Sequence, residues 1–223
     1  MTDYDIWFLD CDGVVLDSNS LKTEAFRRVG MAYGVKEAEA LVHYHVENGG
    51  MSRYKKLDYF FKEILRRTRY EEDFQNALAE FGDFVSGRLR ECPEIPGVRN
   101  FLERLQTTGT RYVYVVSGSD EEELRNVFSV RRLSGYFEGI YGSPATKEEI
   151  LSRLFPPSRP PAVYCGDSQI DYRIATDLGL DFIMVYGHTE WKEWEIQIGP
   201  HKLAVRDFNE LAEFNTSTSS QFG

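Results

Sequence analysis

The chain has 223 residues, enough for one large domain or for a core domain carrying an inserted second one. Hydrophobic residues make up 42% and charged residues 28%, which excludes disorder as the default state. A formal net charge of −10 speaks against a general nucleic-acid or anionic-membrane surface, but leaves room for a small anionic substrate held by a local cation.

Met1-Thr2-Asp3-Tyr4-Asp5 runs straight into a strand without a signal-peptide pattern, and no apolar run is long enough to span a bilayer. The first apolar run, Trp7-Phe8-Leu9, ends in Asp10-Cys11-Asp12-Gly13. A strand has a side-chain period of two, so Asp10 and Asp12 start on the same side of its end. Two carboxylates that close repel unless a cation, a proton or a reaction needs them there. Gly13 lets the backbone bend sharply out of the strand.

From about Leu21 to Arg90 the apolar spacing is helical, as in Leu57, Phe60, Phe61, Ile64, Leu65 and Phe74, Leu78, Phe81, Val85. Cys92-Pro93-Glu94-Ile95-Pro96-Gly97 then breaks the pattern as a stiff connector. The expected organisation is a core made of residues 1–18 and 92–214 with a helical module, 19–91, inserted into it. Inside the module, Gly49-Gly50-Met51-Ser52-Arg53 is the non-helical interruption. On the residues alone it reads as a helix–helix turn with Ser52 as an N-cap and a solvated Arg53. His43 and His45 read as helix-surface residues, and Lys55, Lys56, Arg66, Arg67 and Arg69 as a solvated helix face.

From Val98 onward helix and strand alternate. Strands are expected at Tyr112–Val116, Ile140–Tyr141, Ala162–Cys165 and Phe182–Tyr186, with amphipathic helices between them. Such alternation predicts an α/β fold with a central parallel sheet covered on both faces, and ligands outside the carboxyl ends of its strands. The Ser/Thr-rich stretch 215–223 reads as a disordered tail. Cys11, Cys92 and Cys165 lack C-x-x-C spacing, so neither a zinc site nor a disulfide framework is expected and a reducing cytoplasm fits. Cys11 and Cys165 read as small buried side chains.

Polar groups fall at the predicted strand ends: Asp10 and Asp12, then Ser117-Gly118-Ser119-Asp120, then Lys147, then Gly166-Asp167-Ser168-Gln169-Ile170-Asp171. Singly, each has a plain reading. Ser117 is a helix N-cap, Asp167 and Asp171 are acidic residues opening a helix, and Lys147 is a surface lysine. Gathered at one mouth, they make a coherent set. Separate carboxylates suit Mg²⁺, and a hydroxyl, backbone amides and a lysine suit the oxygens of a phosphate. A carboxylate nucleophile beside a second carboxyl that shuttles a proton supports two-step phosphoryl transfer.

In this order the residues resemble the four motifs of the haloacid dehalogenase superfamily: Asp10-Cys11-Asp12-Gly13, Ser117, Lys147, and Gly166 through Asp171. The resemblance implies a Rossmann-like core, a Mg²⁺ cofactor, an aspartyl-phosphate intermediate and an insert of the helical C1 cap type. It implies Asp10 as nucleophile and metal ligand, and Asp12 as general acid/base with its backbone carbonyl on the metal. Ser117 and the Gly118 amide would hold the transferring phosphoryl group, and Lys147 would neutralise charge. Asp167 would bind Mg²⁺, with Asp171 supporting that site. The intact Asp12 implies phosphoryl transfer rather than C–halogen cleavage, since the superfamily's dehalogenases lack that acid.

The function so implied is a Mg²⁺-dependent hydrolase of a small phosphorylated metabolite, cytoplasmic, without nucleic-acid or membrane partners. The alternative is a β-phosphoglucomutase-like phosphotransferase. Asp12-Gly13-Val14-Val15-Leu16-Asp17-Ser18 departs from the phosphatases' frequent D-G-T, and Gly50-Met51-Ser52-Arg53 resembles a sugar-phosphate specificity loop in which Arg53 reaches the substrate's distal group. A non-catalytic protein that keeps the fold is the third reading, and it would be favoured by a missing motif residue; none is missing.

Overall fold

The computed structural model describes residues 4–107, 110–155, 158, 160–199 and 203–219. The chain opens with β1 (Ile6–Leu9), all four residues buried. Four helices follow: α1 (Asn19–Met31), α2 (Val35–Glu47), α3 (Arg53–Tyr59), which runs on into a π-helical turn at Phe60–Ile64, and α4 (Glu71–Glu91). The alternating part comprises α5 (Val98–Thr107), β2 (Tyr112–Asp120), α6 (Glu121–Val130), β3 (Gly139–Ser143), α7 (Lys147–Leu154), β4 (Ala162–Gly166), α8 (Gln169–Leu178) and β5 (Asp181–Val185). It closes with α9 (Trp194–Ile198), β6 (Leu203–Val205) and α10 (Phe208–Ser219).

The six strands form one parallel sheet in the order β3-β2-β1-β4-β5-β6. β1 lies between β2 and β4, and Leu9 stands opposite both Val115 and Cys165. Three strands therefore end at one level, and the first polar residues beyond them converge. This is why motifs more than a hundred residues apart in the chain meet at one edge.

Alternate side chains of β1 serve opposite faces. Trp7 and Leu9 pack with Val115, Cys165 and Ile183 against α5, the Trp7 ring meeting Phe101 edge-on at 4.9 Å. Ile6 and Phe8 pack with Tyr164, Phe182 and Met184 against α7 and α8. Complete burial of a side chain such as Phe8 or Leu9 is worth roughly 1.5–3 kcal/mol. Cys11 and Cys165 are buried within this packing, as the apolar runs suggest.

The helices α1–α4 form one insert between β1 and β2. Phe26, Phe60, Phe61 and Phe81 are buried at its centre. Its two connections to the sheet run side by side: Leu16 bridges antiparallel to Glu94, the Asp17 amide donates to Pro93 O at 2.9 Å, and the Ile95 amide donates to Val15 O at 3.0 Å. The Pro-rich connector is thus half of a paired junction. Ser52 caps α3, its hydroxyl accepting from the Lys55 amide at 3.4 Å.

Several expectations change. β2 extends past Val116 to Asp120, with a register irregularity against β3 over that stretch. β6 has only three residues, too few to leave a periodic signal. The helix α10 continues through residues 215–219, part of the segment read as a tail, while residues 220–223 lie outside the described ones. Lys56 and His45, read as surface residues, are 2% and 7% exposed. Both lie on the buried faces of their helices.

Candidate active site

Asp10 follows the last residue of β1, and its amide donates to Cys165 O at 2.9 Å, which pins it to the level of β4's end. Its carboxylate is buried beside Lys147, the first residue of α7, with Lys147 Nζ 2.9 Å from Asp10 Oδ1. The contact is a close ion pair, and among the described residues Asp10 Oδ1 has no hydrogen-bond donor besides Lys147. α7 begins where it does because Thr146 and Glu149 form a reciprocal capping box, and this aims Lys147 inward rather than into solvent.

Lys147 Nζ also lies 2.6 Å from Asp171 Oδ1. Asp171 is itself fully engaged. Its Oδ1 faces the Tyr164 hydroxyl at 2.8 Å, and its Oδ2 accepts from Ser168 Oγ at 2.7 Å and the Ser168 amide at 3.2 Å. That exchange is the capping box of α8, so the helix start and the lysine position are set by the same carboxylate. Burial works against the charge on Lys147, but Asp10 and Asp171 outweigh it and raise its pKa. Burial also pushes Asp10 up, with Asp171 and Asp12 adding to it and Lys147 opposing.

Asp167, at the end of β4, accepts from Asn19 Nδ2 at 2.6 Å, and Asn19 also donates to His188 O at 2.9 Å. Burial, then the charges of Asp10 and Asp171, hold its carboxyl well above the usual range. Oxygens of Asp10, Asp167 and Asp171 lie within 4.8 Å of one another. Hard oxygen donors from Asp10 and Asp167, with Asp171 beside them holding Lys147, fit a hard divalent cation such as Mg²⁺. Gly13, at φ +74°, is needed here: a Cβ would collide with the Asp167 carboxylate.

The Asp12 side chain is absent from that cluster and faces a different set. It accepts from Ser18 Oγ at 2.5 Å, Lys22 Nζ at 2.5 Å and Ser119 Oγ at 2.9 Å, and Lys22 also donates to Ser119. Burial alone would raise its pKa, but Lys22 and then the two hydroxyls hold it below the usual range. Both aspartates border the same cavity, as the strand period predicts, yet their surroundings shift them in opposite directions, Asp10 up and Asp12 down.

Ser117 is fully buried on β2 and its Oγ accepts from the Ser119 amide at 3.1 Å. It is not the helix cap: α6 is capped by Asp120, whose Oδ1 accepts from the Glu123 amide at 2.9 Å. Gly118 borders the cavity directly beneath the insert, where a Cβ would run into the Gly50 carbonyl. The 49–51 loop therefore rests on the end of β2. Arg53 reaches the cavity wall, but its guanidinium lies 3.3 Å from Glu123 and 3.8 Å from Asp120, both on the sheet side.

Between insert and sheet lies a cavity of about 590 Å³. Asp10, Asp12 and Asp167 form its floor, and Phe26, His45, Lys56 and Phe81 contribute its wall on the insert side. Asn19, Lys22, Ser119, Tyr164, His45 and Lys56 were not among the residues anticipated for the site. Ser18, Asn19 and Lys22 share the first turn of α1 just after the D-x-D-G bend, a spacing that could have marked them. Lys56 stands one turn before Phe60, and His45 one turn after Leu41, so both fall on apolar faces. Tyr164, inside an apolar strand, carries no such mark.

The family model described as haloacid dehalogenase-like hydrolase matches residues 7–185. No curated protein sequence matches the chain. Among solved structures, a predicted phosphatase from Clostridium acetobutylicum superposes with a TM-score of 0.73 at 19% identity, over 96% of this chain and 99% of that one. A β-phosphoglucomutase from Clostridium difficile gives 0.71 at 17% identity, over 98% of both chains. The HAD-hydrolase YfnB from Bacillus subtilis, bound to magnesium, gives 0.65 at 19% identity, over 95% and 98%. At these identities the structural likeness carries the fold.

Proposed function

The chain belongs to the haloacid dehalogenase-like hydrolase family, and from that premise we propose that it hydrolyses a small phosphomonoester through a phosphoryl group carried on Asp10. The observation that supports this most is the placing of Asp10: a buried carboxylate on the floor of the cavity between insert and sheet, with Lys147 as the cation on its Oδ1. A nucleophile needs an oxygen not tied up by several donors, whereas Asp12 and Asp171 each accept from three or more groups.

Bound Mg²⁺, held by Asp10, Asp167 and the Asp12 main-chain carbonyl, would supply charge neutralisation at the phosphoryl oxygens. Asp10 attacks phosphorus, forming the aspartyl O–P bond as the ester P–O bond breaks. Lys147 offsets charge on Asp10 and the phosphoryl group, and Asp171 positions Lys147 rather than serving as a free ligand. The Ser117 hydroxyl, which already accepts from Ser119, keeps its own proton to donate to a phosphoryl oxygen, beside the Gly118 amide.

Asp12 rests as a carboxylate, so the proton it gives to the leaving alkoxide enters with the substrate. A phosphomonoester has a second pKa of about 6, and its monoanion brings one proton that Asp12 can take and pass on. In the second step Asp12 removes a proton from water, which attacks phosphorus and releases Asp10. The insert, residues 19–91, acts as the cap: its 49–51 loop packs against Gly118 and covers that side of the cavity.

The test is phosphate release from a panel of phosphorylated metabolites, with Mg²⁺ and with chelator, for wild type and D10N. Release that requires Mg²⁺ and falls by about a thousandfold or more in D10N is expected. A D10N enzyme at wild-type rate would contradict the assignment. Glucose 6-phosphate formed from β-glucose 1-phosphate and a bisphosphate primer, without free phosphate, would favour transfer to a sugar instead.

A further inference from the structure

The buried or nearly buried cations around the cavity are matched with carboxylates in all but one case. Lys147 has Asp10 and Asp171, Lys22 has Asp12, and Arg53 has Glu123 and Asp120. Lys56, 2% exposed and on the cavity wall, has no carboxylate in contact among the described residues. Its Nζ donates to His45 Nδ1 at 2.7 Å and to His45 O at 3.3 Å, and stands 5.5 Å from the centre of the Phe26 ring. An ammonium has three protons to give, so one remains for something in the cavity.

Beyond contact, Asp12 acts on it through space, already paired with Lys22, and Glu190 stands an imidazole ring away. His45 Nε2 lies 3.1 Å from Thr23 Oγ1 and 3.7 Å from Glu190 Oε2, and Thr23 donates to Glu190 at 2.7 Å. His45, with Nδ1 turned to the lysine, is thus held neutral and orients Lys56 without discharging it. Burial and the neighbouring Lys22 push the Lys56 pKa down to about 7. A lysine kept in such a place is costly unless a ligand completes it.

We propose that Lys56, oriented by His45, receives a second anionic group of the substrate, a carboxylate or a second phosphoryl, while the transferring phosphoryl group lies at Asp10. This rests on the hydrolase reading of the same site and narrows it to phosphorylated acids and bisphosphates. The sequence analysis put the distal contact on Arg53, but Glu123 and Asp120 already occupy that guanidinium. Because Lys56 belongs to α3 and Asp10 to the sheet, a substrate with two anionic ends ties the insert to the core. A neutral ester leaves Lys56 unmatched.

Two matched pairs test this on the Mg²⁺-loaded full chain: 3-phosphoglycerate against glycerol 3-phosphate, and fructose 1,6-bisphosphate against fructose 6-phosphate. Wild type is expected to prefer the more acidic member of one pair by about tenfold or more in kcat/KM, and the pair that shows it identifies carboxylate or phosphoryl. K56M should bring the two members of that pair to near equality, K56R should keep part of the preference, and K56M should melt no lower than wild type. Equal kcat/KM within both pairs in wild type, or a preference that survives K56M, overturns the proposal. Turnover of none of the four would instead remove the hydrolase reading. Calorimetric titration of the same compounds then decides: an acidic member bound about tenfold tighter than its partner, with the difference lost in K56M, upholds the proposal, and equal or absent binding overturns it.

Discussion

On the floor of the cavity Lys147 stands between Asp10 and Asp171 at 2.9 and 2.6 Å, and Lys22, reaching in from α1 of the insert, meets Asp12 at 2.5 Å. On the wall Lys56 has an imidazole, a carbonyl and the face of Phe26, and among the described residues no carboxylate in contact. The floor balances its charges internally, while the wall leaves one to be balanced by whatever enters. A self-compensated cluster is preorganised for chemistry that does not vary with substrate. An uncompensated cation costs stability and gains discrimination, which suits a surface that selects. The difference separates a part of the molecule that reacts from a part that chooses.

The largest effect should come from breaking the floor. K147M leaves Asp10 and Asp171 buried without their cation, so stability should fall by about 3–5 kcal/mol in denaturant unfolding of the apo protein. Activity should fall by roughly a hundredfold or more. Unchanged stability in K147M would mean that the floor is not held by those pairs. A smaller effect is expected where floor and insert touch. G118A places a methyl group into the Gly50 carbonyl, so the loop must retreat; KM should rise by about tenfold with the fold intact. An unchanged KM would mean that the contact does not serve closure.

The smallest effect separates the two regions by pH. In the folded state Lys56 has its pKa lowered to about 7, whereas an unfolded lysine stays near its ordinary value of about 10.4. Below about pH 7 both states carry the proton and the folded state bears its full cost. Between about pH 7 and 10 the unfolded chain binds more protons than the folded one, so stability gained from this group rises with pH. His45, Lys22, Asp12, Glu190 and Lys147 all act on Lys56, so the readout is the difference from K56M rather than the raw curve. The apo K56M variant should be the more stable at pH 7, with a melting temperature higher by about 5 °C, and that advantage should shrink toward pH 10. A constant difference would remove the charge cost from the account.

The floor was readable in the sequence because its residues lie at or just beyond the C-terminal parts of strands, and those parts of a parallel sheet share one edge. Asp10, Ser117, Lys147 and Asp167 needed only the element pattern to be placed together. The wall was not readable in the same way. Lys56 and His45 are polar residues on apolar helix faces, and only packing of α1, α2 and α3 shows that those faces border a cavity. Arg53 was placed near the site, but its partners Glu123 and Asp120 lie on α6 and at the end of β2, which no helical period relates to α3. Asp12 was found by spacing, whereas its pKa shift depends on Lys22, whose place in the first turn of α1 takes on meaning only once that turn is seen to lie over Asp12.

The central claim is that Asp10 carries the phosphoryl group. The direct measurement uses D12N, in which water activation in the second step is lost, quenched soon after mixing with Mg²⁺ and an aryl phosphate whose leaving group needs no proton, such as p-nitrophenyl phosphate. Peptide mass analysis should then find one added phosphoryl group on the peptide containing Asp10, absent when D10N is combined with D12N. Phosphoryl label on another residue, or substrate turnover by wild type with no label ever trapped on Asp10, would contradict the account.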